Sequence, residues 1–153
     1  MTETIPFPYK PVKAGEFRVL LLRSSRKPSH DIEYSLIREH LPPVHPYDAL
    51  SYTWGADAAT MSISLDGIIF PVRENLHCAL KRLRYQDTDR RIWVDAICIN
   101  QVDVIERNSQ VNQMRTIYSN ADQVAVWLGA FTAQTCSAIE FVPRLLESVS
   151  ESG

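Results

Sequence analysis

The chain has few of the features that would commit it to a membrane, a metal or a disulfide framework. Its longest apolar runs, Val19-Leu20-Leu21-Leu22 and Val124 to Leu128, fall far short of the ~20 residues a bilayer-crossing helix needs. The opening stretch, MTETIPFPYK, has neither a basic n-region nor an apolar h-region, so it does not read as a signal peptide, and a soluble cytoplasmic domain is expected. Cysteine is scarce. Cys78, Cys98 and Cys136 lie 20 and 38 residues apart without a C-x-x-C, which argues against both a disulfide scaffold and a zinc site. The four histidines, His30, His40, His45 and His77, make no H-E-x-x-H or H-x-x-E-H pattern, so no metal is expected. Neither G-x-G-x-x-G nor G-x-x-x-x-G-K-[ST] occurs, which weakens any reading as a metabolic nucleotide-binding protein. An excess of one charge is also missing. Sixteen basic against eighteen acidic residues give a net charge of −2, so no sequence-wide positive field exists to hold a nucleic-acid backbone.

What is present is ordinary globular material: 153 residues, 45% hydrophobic and 22% charged, enough for one domain with a real core. Residues 1–15, with Pro6, Pro8, Pro11 and Gly15, read as an extended, weakly ordered arm, and residues 16–150 as a single domain. Phe17 to Leu22 and Asp31 to Arg38 suit strands, and the proline-rich stretch Leu41 to Pro46 feeds a further strand, Tyr47 to Tyr52. Asp66-Gly67 between Met61–Leu65 and Ile68–Val72 is a strong hairpin signal. Leu76, Leu80 and Leu83 place a helix over 74–84, and Arg91 to Ala96 reads as a buried strand. Asp103-x-x-Glu106 has the form of a capping box, opening a helix over 103–119 with Val104, Val111, Met114 and Tyr118 on one face. Gln123 to Leu128 is a last buried strand, and Thr132 to Ser148 reads as a helix kinked by Pro143. This alternation predicts an α/β fold: a parallel core near Ala49, Trp93 and Ala125 with crossover helices, plus an antiparallel β extension carrying the hairpin.

Ligands of open α/β sheets bind outside the carboxyl ends of the strands. Three segments leave such ends here, Ser51 to Gly55, Asp95 to Gln101, and Trp127-Leu128-Gly129. Their carboxylates, amides, hydroxyl and indole rings suit a small polar ligand with an aromatic ring. Asp95 reads either as a carboxylate that holds a ligand hydroxyl or acts as a base, or as one satisfied by the next turn's N–H groups. Glu106 reads as a catalytic acid or as a helix cap. Ser51 lacks a nearby base for a nucleophile's role, and Cys98, between Ile97 and Ile99, reads as a small buried hydrophobe. Trp54, Trp93 and Trp127 read first as core, with Trp54 best placed to meet a ligand. Arg107, Gln110 and Arg115 form a polar helix side, solvated or clamping a phosphate.

Tyr47-Asp48-Ala49-Leu50-Ser51-Tyr52-Thr53-Trp54-Gly55 resembles the opening signature of the fungal heterokaryon-incompatibility (HET) domain. Ile92 to Gln101, then Glu106-Arg107, Gln110-Val111, Met114, Ile117-Tyr118 and Ala121, resemble its central block, and Val126-Trp127-Leu128-Gly129 its closing one. The resemblance spans roughly residues 16–130. It implies an effector domain of fungal non-self recognition that triggers programmed cell death and works with a receptor or sensor protein, or by self-association. A weaker resemblance links this pattern to TIR domains and their flavodoxin-like core, some of which cleave the nicotinamide–ribose bond of NAD with a helix-borne glutamate. Glu106 and Glu140 are the residues that this second resemblance offers for that role, with Asp95 beside them. Ser51, Tyr52, Trp54, Gly55, Asn100, Gln101 and Arg107 would then bind the substrate. NAD enters as substrate, with no bound cofactor or metal. A non-enzymatic assembly module is the competing expectation.

Overall fold

The computed structural model describes residues 6–26, 33–52, 59, 61–127 and 139–142. Trp54, Gly55, Cys136 and the Leu128-Gly129 end of the closing block lie outside these residues. The described elements run β1 (Glu16–Leu22), β2 (Glu33–His40), β3 (Asp48–Tyr52), β4 (Met61–Leu65), β5 (Ile68–Val72), α1 (Glu74–Leu83), β6 (Arg90–Trp93), α2 (Asp95–Cys98), α3 (Val104–Asn120), β7 (Val124–Trp127) and β8 (Ile139–Val142). All eight strands join one sheet in the order β5-β4-β2-β1-β6-β3-β7-β8.

The expected parallel core is present, with β3 between β6 and β7 and its last residue, Tyr52, level with Trp127. β1 runs antiparallel to both β6 and β2, and β4 antiparallel to β5. The extension is not wholly antiparallel, because β2 meets β4 in parallel at Glu33–Ser64 and Tyr34–Leu65. The fold is therefore a mixed α/β sheet. Its hairpin turns where the sequence places it, since Asp66 (φ 51°) and Gly67 (φ 78°) both adopt the left-handed backbone that a tight two-residue turn requires. Pro71, which has no N–H to donate, lies on the edge strand β5.

Three local expectations are corrected. β6 stops at Trp93, and Asp95 opens a single helical turn instead of ending the strand. The expected helix over 132–148 is strand β8 where it is described, paired antiparallel with β7. The residue before a proline disfavours helical backbone, and the open edge of β7 offers Val142 and its neighbours a full ladder. On α3 the expected apolar face holds only in part: Met114 and Tyr118 pack against the core, but Val104 and Val111 are more than half exposed, while Gln110 and Ile117 are buried. The helix is seated by a polar contact, as the Gln110 side-chain amide donates to the Glu16 carbonyl at the start of β1 (3.0 Å).

α1 buries Leu76, Ala79, Leu80 and Leu83 as its spacing predicts. The core gathers Phe17, Leu20, Leu22 and Leu50 around Trp93, whose ring meets Tyr118 edge to face at 5.1 Å. Described arm residues 6–13 are docked, not loose. Phe7 packs edge-on against Tyr9 and Phe70, and the Tyr9 hydroxyl donates to the Ile97 carbonyl (2.8 Å). Among the described residues no helix is long and apolar enough to cross a membrane.

One buried carboxylate, Glu39, ties β2 to its surroundings. Burial alone would raise the Glu39 carboxyl, but the N–H groups of His40 and Val44, the His45 ring and Arg91 outweigh it and hold it below its ordinary value. A depressed folded value gives stability that is complete above the unfolded value of about 4.5 and lost as pH falls through the folded one. In urea unfolding followed by circular dichroism, the stability of Glu39→Gln is expected to fall less steeply than the parent's as pH drops below about 4.5, and identical slopes would remove Glu39 from the acid response.

Candidate functional site

The carboxyl ends of the parallel strands open into a cavity of about 250 Å³. Tyr52 ends β3 on one wall, and Ala96, Asn100 and Gln101 follow β6 on another. Arg73 enters from the β5–α1 junction, and Phe7 of the arm closes a side. This is the position at which an α/β sheet presents side chains from loops that follow its strands. The Gln101 amide is held by donating to the Asp95 carbonyl (2.9 Å), which orders the loop between α2 and α3.

Asp95 does not itself line the cavity; it precedes the lining residue Ala96, and its charge acts on Tyr52, which also lines it. Burial first, and then the Asp95 charge, push the Tyr52 hydroxyl up to about 12, with Arg73 opposing them. Tyr118 is raised to about 12 by burial and Asp95 in the same order, against a hydrogen bond with Ser51. Both phenols therefore stay protonated at neutral pH, within reach of the Asp95 charge. Ser51 is turned toward Tyr118 and is not among the residues that line the cavity.

Behind the loop lies a buried ion pair. Arg18 of β1 and Glu106 of α3 have side chains only 3% and 11% exposed and are in direct contact. Arg18 also donates to the carbonyls of Cys98 (3.1 Å) and Lys10 (2.6 Å), and Tyr9 lies over its guanidinium at 4.8 Å. The Glu106 carboxylate accepts the Asn100 N–H as well (3.3 Å).

The sequence profile of the Heterokaryon incompatibility protein (HET) family matches residues 47–152. Heterokaryon incompatibility protein 6, OR allele, from Neurospora crassa is 35% identical over 149 residues, 89% of this chain. The chain belongs to the HET family. It spans only 21% of that relative's length. No solved structure matches it.

Against this HET-family background, the residues singled out in the sequence divide into three groups. Tyr52, Asn100 and Gln101 meet at the cavity, with Asp95 behind them. Glu106 does not line it. Nor does its side chain complete a capping box: Asp103 alone caps α3, accepting the N–H groups of Ile105 and Glu106 (both 3.1 Å), while the Glu106 carboxylate turns to Arg18. Arg107 is exposed and reaches the Gln101 carbonyl at 3.4 Å, away from the cavity lining. Gln110 is buried, contrary to its reading as part of a solvated helix side. Glu140 sits on strand β8, level with Val126, and not on a helix. Trp54 and Gly55 fall outside the described residues.

Arg18, Tyr9, Phe7 and Arg73 were not anticipated. For Arg18 a signal existed, since it alternates with Leu20 and Leu22 on one face of a strand, and a cation at such a position needs a buried partner. Cys98 is buried as its flanking isoleucines predict, and burial pushes its thiol up to about 12. Native protein treated with iodoacetamide at pH 8 is expected to leave Cys98 unmodified by mass spectrometry until denaturant is added. Rapid native labelling would contradict the packing around α2.

Proposed function

We propose that this HET-family chain acts in fungal heterokaryon incompatibility as an effector that triggers programmed cell death by hydrolysing NAD or a related nucleotide. The observation that carries the proposal is the cavity where Tyr52, Asn100 and Gln101 converge beside Asp95. At about 250 Å³ it fits the nicotinamide–ribose end of a dinucleotide and not the whole molecule. Departure of nicotinamide leaves an oxocarbenium-like centre, and a nearby carboxylate stabilises it. Asp95, whose charge acts on the cavity-lining Tyr52, is the carboxylate assigned to that role. The Phe7, Tyr9 and Phe70 rings supply the aromatic wall for a flat heterocycle, and Arg73 supplies positive charge for a phosphate. A TIR-like, flavodoxin-like plan belongs to the same proposal, supported by the β6-β3-β7 core with α1 and α3 in its crossovers.

The test is nicotinamide release from NAD by the purified protein, alone and forcibly oligomerised, beside Asp95→Asn, Glu106→Gln and Glu140→Gln. Asp95→Asn is expected to lower release by about 10²–10⁴-fold while remaining folded. Loss confined to Glu140→Gln would move the chemistry to β8. No release in either state would move the proposal to assembly. That second reading is favoured by the exposed apolar side chains of Val102, Val104 and Ile105 at the start of α3. Under it, Ile105→Asp abolishes concentration-dependent oligomers in sedimentation velocity.

A further inference from the structure

A second, larger cavity of about 540 Å³ lies on the other side of the arm, with Phe7 forming part of the wall of both. Its polar residues are Lys10, Arg18, Arg38 and Asp66, and Leu36 and Ile68 give it an apolar side. Arg18 and Arg38 are exact cross-strand partners on β1 and β2, so their side chains stand on one face of the sheet. Like charges at such positions repel unless an anion lies between or beside them.

The acids nearby are already engaged. Glu106 is paired with Arg18, Glu16 interacts with Arg38 and accepts the Lys13 N–H, and Asp66 accepts the Leu36 N–H. Arg18 is nevertheless incomplete. Its Nε–H is buried without a hydrogen-bond partner among the described residues, in a side chain only 3% exposed. Buried N–H groups of this kind are rare in folded proteins and point to a missing acceptor.

We propose that this cavity is a binding site for a small organic anion, with a phosphate or carboxylate head among Lys10, Arg18 and Arg38 and an apolar body against Leu36 and Ile68. The head supplies the acceptor that Arg18 Nε lacks. The apolar body explains why one half of the cavity is hydrocarbon, which free inorganic phosphate would leave uncovered. The site is separate from the one proposed for nucleotide hydrolysis and does not depend on that chemistry.

Calorimetric titration of the whole chain with phenyl phosphate, benzoate, phenol and inorganic phosphate tests it. Phenyl phosphate or benzoate is expected to bind at least tenfold more tightly than phenol and than inorganic phosphate, and the stronger of the two identifies the head. Lys10→Gln and Arg38→Gln change exposed side chains, and thermal scans check that both variants fold. Each is expected to weaken binding by about tenfold, the effect of losing one charge-assisted hydrogen bond. Arg73→Gln, in the other cavity, leaves it unchanged. Absence of binding, equal binding of phenol, or affinities within twofold of the parent in both variants would overturn the proposal.

Discussion

Arg18→Met is expected to destabilise the fold by about 3–5 kcal/mol, the usual cost of leaving one partner of a buried ion pair alone. For a chain of this size that corresponds to a fall in melting temperature of roughly 10 °C. The reasoning starts from exposure: with 3% and 11% of their side chains exposed, neither Arg18 nor Glu106 can recover its hydration when the other is removed. The substitution also removes the donors to the Cys98 and Lys10 carbonyls and the cation beneath the Tyr9 ring. One residue thus joins β1, the arm, α2 and α3. A double variant, Arg18→Met with Glu106→Leu, is expected to be more stable than Arg18→Met alone, because no uncompensated charge stays buried. Urea denaturation of the four proteins in the cycle measures the coupling. A loss below about 1 kcal/mol for Arg18→Met would place the pair in effectively solvated surroundings. The cycle also bears on function, since an activity loss in Glu106→Gln that tracks stability marks a positioning group and not a reacting one.

The second large effect is expected where the parallel strands β3, β6 and β7 begin. Asp48 opens β3 and accepts from Arg90 Nε (3.0 Å) and Nη2 (2.7 Å) and from the Gln123 amide (3.3 Å). Arg90 opens β6, Gln123 precedes β7, and Arg90 further donates to the Leu83 carbonyl at the end of α1 (3.0 Å). One carboxylate therefore aligns the starts of three parallel strands. Asp48→Ala leaves Arg90, itself 5% exposed, without its counter-charge and is expected to cost about 3–5 kcal/mol. Asp48→Asn keeps one acceptor oxygen for Arg90 and Gln123 but loses the charge, so its cost is expected to be smaller than that of Asp48→Ala. The midpoint in urea should fall with an unchanged slope, as expected when stability changes and compactness does not. An unchanged midpoint in Asp48→Ala would show that the strand register is held by packing alone.

The limits of sequence reading are visible in α3. Its existence and its acidic cap were legible, because Asp103 at the helix start and the absence of a breaker over the next turns are local facts. Which face it buries was not. Val104 and Val111 are apolar yet exposed, and Gln110 is polar yet buried, because the contact that seats the helix is made to Glu16, 94 residues away. The same distinction explains the end of the chain. A helical pattern over 132–148 gave way to β8 because the edge of β7 is a tertiary feature that no window of the sequence contains. Asp95, by contrast, was found from its place after an apolar run, even though that run ended earlier than expected and left it on a helical turn.

Local sequence was enough to place β1 to β5 and β7, the hairpin turn, the parallel trio near Ala49, Trp93 and Ala125, and the HET-family membership that the motifs announced. These follow from side-chain periodicity, from backbone preferences at Asp66-Gly67 and from motifs of fixed spacing, all written within a few residues. That Glu106 faces Arg18, that Tyr52 shares a cavity with Asn100 and Gln101, and that the arm walls two cavities emerge only when the chain is folded. Those pairings join residues up to 88 positions apart, and the order in which strands enter a sheet chooses among such partners when local pattern cannot.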